Sequence, residues 1–153
     1  MLAVNGHGGS GWAMMNPDDA SFWYGEAFAR RGYVVLALDI SHRPLADRAN
    51  LYADYLNGDD PAHGNGTHPA IAAAGMDSDW EEPGERSWDT MRALDYLLSR
   101  ADVDPGRIIL SGLSLSGEVT ADTAGLDPRL SMSIPAGYSP DQSVMLYNGS
   151  HPC

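Results

Sequence analysis

Two short stretches constrain this chain more than any other feature. Tyr33-Val34-Val35-Leu36-Ala37-Leu38 is a continuous apolar run ending at Asp39, and Arg107-Ile108-Ile109-Leu110-Ser111 is a second strand-like run that leads into a turn of glycines and serines. Neither alternates apolar with polar residues, so neither suits a strand with one wet face. Runs of this kind fit strands buried on both sides, in a parallel sheet with helices above and below. Leu2 to Val4 reads as the end of another such strand, and Leu130 to Ala136 as a fourth.

The intervals between these runs carry helical signals. Asp18 or Ser21 is expected to cap a helix that passes through Phe22, Ala27 and Phe28 and stops at Gly32. Residues 44 to 56 are expected to hold one helix. The clearest helix spans Glu85 to Arg100, with Trp88, Met91, Leu94 or Asp95, and Leu98 stepping by three or four. Asp104-Pro105-Gly106 makes a turn, and a short helix after Leu115 is expected to break at Gly125. The fold class implied is α/β: a parallel sheet of about four strands with helices on both faces. Residues 1–153 read as one domain, without internal repeat or linker. The polar stretch from Ser41 to Gly84 is long for a connection, and such loops either serve a function or cover something.

Composition narrows the partners. The net charge is −12 and all nine basic residues are arginine, which excludes the positive field needed to bind nucleic acid or an anionic membrane. Cys153 is the sole cysteine, so no intrachain disulfide can form. No apolar run approaches a membrane span, and Met1 to Val4 lacks the pattern of a signal peptide, so a cytoplasmic location is expected.

The second run ends at Gly112-Leu113-Ser114-Leu115-Ser116-Gly117. A serine at a sharp strand-to-helix turn has its hydroxyl lifted clear of the sheet. The helix behind it offers free backbone N–H groups and a positive dipole end to a developing oxyanion. Such a turn needs small residues two places either side, and Gly112 and Ser116 supply them. Ser114 is therefore the expected nucleophile. The plain alternative is a small-residue turn that packs a helix on a sheet.

Gly6, Gly8 and Gly11 also spell a dinucleotide-binding pattern after a strand, with Asp39 ending the next. Spacing argues against it. In that motif the helix starts within the glycine run, whereas Trp12 to Pro17 separates Gly11 from any helix start. No cofactor is expected.

Taken together, Val4-Asn5-Gly6-His7-Gly8-Gly9-Ser10-Gly11, the strand ending at Asp39, and Gly112 to Glu118 resemble the α/β-hydrolase superfamily, in its dienelactone-hydrolase and acetylxylan-esterase-like branch. The resemblance implies that the backbone N–H groups of His7 and Leu115 form the oxyanion hole. Asn5 stands where that family usually has a histidine. It further implies that the strand ending at Asp39 lies beside the first, followed by the Ser114 strand and then the fourth.

In that family an acid and a histidine follow the serine on loops after later strands. The chain stops soon after its fourth strand, so the resemblance implies a partial fold that lacks flanking strands at both ends. Three arrangements follow. The site is incomplete, or Asp141 and His151 rebuild it within the chain, or a second subunit completes it. His151 is the only histidine after Ser114 and sits in a polar tail beside Pro152. Glu118 reads as a helix-start charge. His42 follows the second strand. His63 and His68 lie with Asp59, Asp60, Asp77 and Asp79 in the polar loop without metal-ligand spacing, so no metal is expected. Trp12, Trp23, Trp80 and Trp88 are expected as core or loop anchors, with Trp12 at the pocket as the alternative.

The expected function is hydrolysis of a small-molecule carboxylic ester through an acyl-Ser114 intermediate. The rival is a catalytically incomplete remnant that binds or assembles. Open sheet edges imply a homo-oligomer.

Overall fold

The computed structural model describes residues 1–6, 11–18, 23–40 and 82–137. Within them β1 (Leu2–Val4), β2 (Leu36–Leu38), β3 (Ile109–Leu113) and β4 (Met132–Ala136) form one sheet in the order β2-β1-β3-β4. Every pairing is parallel. Both the α/β architecture and the strand order agree with the expectation above.

The register explains why β1 is wholly buried. Leu2 lies opposite Leu36 on one side and Leu110 on the other, while Val4 lies opposite Leu38 and Gly112. Leu2, Val4 and Leu110 point to one face. There they join Ile40, Leu97 of α2 (Glu82–Leu98) and Val119 of α3 (Leu115–Leu126) in a single core. Burying each aliphatic side chain of this kind is worth about 1.5–3 kcal/mol, so this face dominates the stability of the sheet.

The chain steps from β1 outward to β2 through α1 (Tyr24–Ala29), then returns across the sheet to β3 and on to β4. Right-handed crossovers place α1 on the face opposite α2 and α3. In agreement, α2 and α3 pack against each other.

Several local expectations change. The N-cap of α1 is Trp23, with no side-chain cap. Asp18 instead belongs to a turn in which its N–H donates to Asn16 Oδ1 at 3.1 Å, and Ser21 lies outside the described residues. Gly32 does end this segment, at φ +90°. A 3-10 turn at Ala13–Met15 was not foreseen.

Helix α2 begins earlier than expected, at Glu82, because Pro83 falls in the first turn where no N–H is needed. Its buried stripe runs through Ser87, Thr90, Leu94 and Leu97, which keeps the expected Leu94 and otherwise lies one position before the expected one. Ser87 and Thr90 are polar, so hydropathy alone misplaces the stripe. Helix α3 continues through Gly125. One interior glycine costs only about 1 kcal/mol relative to alanine, and burial of the first half of the helix outweighs that. Strand β3 extends two residues further than expected, to Leu113, because it pairs with β4 as far as Ala136. Strand β4 starts later, at Met132, after a turn in which Arg129 N–H donates to Asp127 Oδ1 at 3.0 Å.

The three described tryptophans are not core anchors. Trp12 is 74% exposed, and Trp23 and Trp88 are also exposed. Trp88 lies under the Arg92 guanidinium, 4.2 Å from the ring centroid, which covers one ring face at the surface. Trp80 lies outside the described residues. No helix among the described residues is long and apolar enough to cross a membrane.

Candidate active site

Three serines crowd the end of β3, and the structure separates their roles. Ser111 is buried and its hydroxyl donates to Ile134 O at 3.3 Å. Ser116 is fully buried. Its Oγ accepts the Leu113 N–H at 2.7 Å and donates to Leu113 O at 2.9 Å. Ser114 alone among residues 111–120 is exposed. It is thus the one of these three serines that is exposed to solvent.

The turn that presents it is strained. Ser114 has φ 63° and ψ −122°, and it is the one non-glycine residue at positive φ among the described residues. A residue with a Cβ held there costs on the order of 1–3 kcal/mol and persists only where its surroundings fix it. They do so here through the backbone. Ser114 N–H donates to Ala136 O of β4 at 2.8 Å, and Ser114 O accepts Gly117 N–H at 2.8 Å and Glu118 N–H at 3.3 Å. Gly112 permits the close pass. A Cβ at that position would collide with the Ser116 carbonyl oxygen and lie 2.7 Å from the Ser116 Cβ.

Helix α3 starts at Leu115, directly after the serine. The first N–H groups of a helix have no partner within it, and the positive end of its dipole lies there. The Leu115 N–H makes no hydrogen bond among the described residues, so it is available to an oxyanion beside Ser114. Glu118, expected as a helix-start charge, does lie in the first turn, but it is 1% exposed.

The sheet topology independently points to the same place. From β1 the chain moves one way to β2, and β3 lies on the other side of β1. Ligands of open parallel sheets bind in the crevice at such a switch point, beyond the carboxyl ends of the strands. Here the switch point lies between the ends of β1 and β3, where Asn5-Gly6 and Ser114 emerge.

Two side chains whose fastening role the sequence did not show tie this end together. Tyr24 of α1 donates its hydroxyl to Val4 O at 2.7 Å and approaches Ser111 O at 3.3 Å, joining the ends of β1 and β3. Burial pushes the Tyr24 phenol above its ordinary range, so it stays a donor. Asn5 is buried, and its Oδ1 accepts the Ile40 N–H at 2.8 Å while its Nδ2 donates to Gly6 O at 3.2 Å. It fastens the end of β1 to the segment after β2. A buried polar residue must find partners, and Asn5 and Ser116 both find them on backbone groups. Nothing in the sequence marks Tyr24.

Of the expected site residues, the structure brings together Ser114 and Leu115. His7, Asp141 and His151 lie outside the described residues, as do His42 and the polar loop that carries His63 and His68. Among the described residues no group of three or more histidine, cysteine or acidic side chains is placed to hold a metal. Among the described residues Gly11 opens no α-helix: it lies in a turn that leads into the 3-10 segment, and α1 begins at Tyr24.

Comparison with known proteins adds one partial likeness. Over 63 residues the chain is 36% identical to a protein of Bacillus subtilis (strain 168) named "Putative hydrolase YtaP". The match takes in 41% of this chain and 21% of that protein, so the chain spans about a fifth of the length of the curated relative. No family model matches the chain, and neither does any solved structure.

Proposed function

We propose that this chain carries the nucleophile of a serine hydrolase that cleaves small-molecule carboxylic esters through an acyl-Ser114 intermediate, on an α/β-hydrolase-like fold. The observation that carries the reading is the placement of Ser114: exposed, at a strained turn between β3 and a helix N-terminus, at the switch point of the sheet. The partial likeness to a protein named as a hydrolase supports it.

In this reading Ser114 Oγ attacks the ester carbonyl carbon and its proton passes to a base. The tetrahedral oxyanion is met by the Leu115 N–H, with the His7 N–H as the second donor. Collapse expels the alcohol, which takes that proton, and water then hydrolyses the acyl-serine. His151 with Asp141 is the base-and-acid pair we assign within this chain. A second subunit is the competing source.

Turnover of a chromogenic acetate or butyrate ester tests the reading. The wild type should release chromophore, and Ser114→Ala should abolish it. Absence of turnover in folded wild type would favour the remnant that binds without catalysis. Unchanged turnover in both His151→Ala and Asp141→Asn would eliminate that pair.

Self-association belongs to the same proposal. Met132 and Ile134 are exposed on β4. The Met132 N–H and Ala136 O both point to β3, so Pro135 faces the outer edge, where it has no N–H to offer another strand. An assembly is therefore expected through the apolar face rather than by edge pairing. A stable monomer by light scattering at high concentration would count against it.

A further inference from the structure

The second small position of the turn holds Ser116 where a glycine would give the same clearance, and its hydroxyl both accepts and donates within the turn. It accepts the N–H of Leu113 at 2.7 Å and donates to the C=O of Leu113 at 2.9 Å. One buried oxygen thus grips both peptide groups of the residue immediately before Ser114. The Leu113 N–H belongs to the peptide that follows Gly112, and the Leu113 C=O to the peptide that leads into Ser114. Fixing both sets the φ and ψ of Leu113 and therefore the direction in which Ser114 leaves the strand. Ser116 is 0% exposed, so no water competes for these bonds.

We propose that Ser116 is a positioning residue for the Ser114 nucleophile, acting through the backbone of Leu113. This rests on the nucleophile reading above. The strain at Ser114 makes such a clamp consequential, because a turn held at φ 63° relaxes when its supports are removed. The one O–H of Ser116 is donated inside the turn and its oxygen is shut off from solvent. It therefore neither competes as a nucleophile nor donates to an oxyanion, and its effect on chemistry is wholly geometric. Loss of alignment at a reacting atom slows the step without weakening binding.

Timed inactivation by a fluorophosphonate separates rate from endpoint. Ser116→Ala should label to the same final stoichiometry as the wild type, at a rate lower by about tenfold. With an ester substrate kcat should fall at unchanged KM. A purely structural role would instead lower the labelled fraction with the rate of the remaining folded protein unchanged, and that result would overturn the proposal. Equal rates and equal endpoints would also overturn it, while leaving Ser114 as the nucleophile. No labelling of folded wild type would overturn the nucleophile reading and this proposal with it. Ser116→Cys, which fills the same space with a thiol that bonds only weakly, carries the same test where the alanine variant does not fold.

Discussion

At the carboxyl end of the sheet the chain is fastened by uncharged groups that are almost all buried: Ser116 on Leu113, Tyr24 on Val4, and Asn5 on Ile40. At the opposite end the fastening is ionic and lies nearer the surface. Arg129 donates from Nε to Asp127 Oδ1 at 2.8 Å and from Nη1 to Asp95 Oδ1 at 2.7 Å, linking the turn before β4 to α2. Arg100 and Asp102 pair nearby at 2.7 Å, both exposed. A buried hydrogen bond that loses one partner leaves a desolvated group behind, whereas an exposed ion pair returns both charges to water. The strained serine therefore sits at the end where small changes cost most.

The carboxyl end is least tolerant at Gly112. Gly112→Ala should destabilise the fold by about 3 kcal/mol or more, or prevent folding, because the Ser116 backbone blocks the new methyl group. A urea midpoint close to that of the wild type would show that the elbow is looser than described. Next comes Asn5→Ala, which strands the buried Ile40 N–H. A loss of about 1–3 kcal/mol is expected from equilibrium unfolding.

At the ionic end the expected effects shrink. Asp127→Asn should cost about 1–2 kcal/mol, since Arg129, its partner, is itself partly exposed. The hydrogen bonds from Arg129 hold the Asp127 carboxyl below its ordinary range. A carboxyl whose folded value is depressed stabilises the fold above its unfolded pKa, and that contribution is lost as pH falls towards the folded value. The gap in melting temperature between wild type and Asp127→Asn should thus be constant near neutrality and close below about pH 4. A gap that persists in acid would mean that the pair is not its cause. Asp102→Asn should leave the unfolding midpoint unmoved; a measurable drop there would erase the distinction between the two ends.

What the sequence disclosed follows the same division. Apolar runs showed β2 and β3, although β2 takes only Leu36–Leu38 of its run and is half-buried at the sheet edge, and Asp104-Pro105-Gly106 did form its turn, with the Gly106 N–H donating to Asp104 Oδ1 at 2.9 Å. Ser114 was legible because its turn needs small neighbours at fixed spacing. Hydropathy failed where buried residues are polar. It placed the stripe of α2 on Trp88 rather than Ser87 and Thr90, and it saw Ser116 only as small. Tyr24 meets Ser111 only because the sheet brings positions far apart in sequence together, and a chain read residue by residue carries no trace of that contact.

The central claim is that Ser114 is the reactive residue of the three serines around β3. Fluorophosphonate labelling followed by peptide mass spectrometry tests it directly. The account predicts a single adduct on Ser114, absent from Ser114→Ala and with Ser111 and Ser116 unmodified. Folded wild-type protein that takes no label, or carries it on another residue, would contradict it.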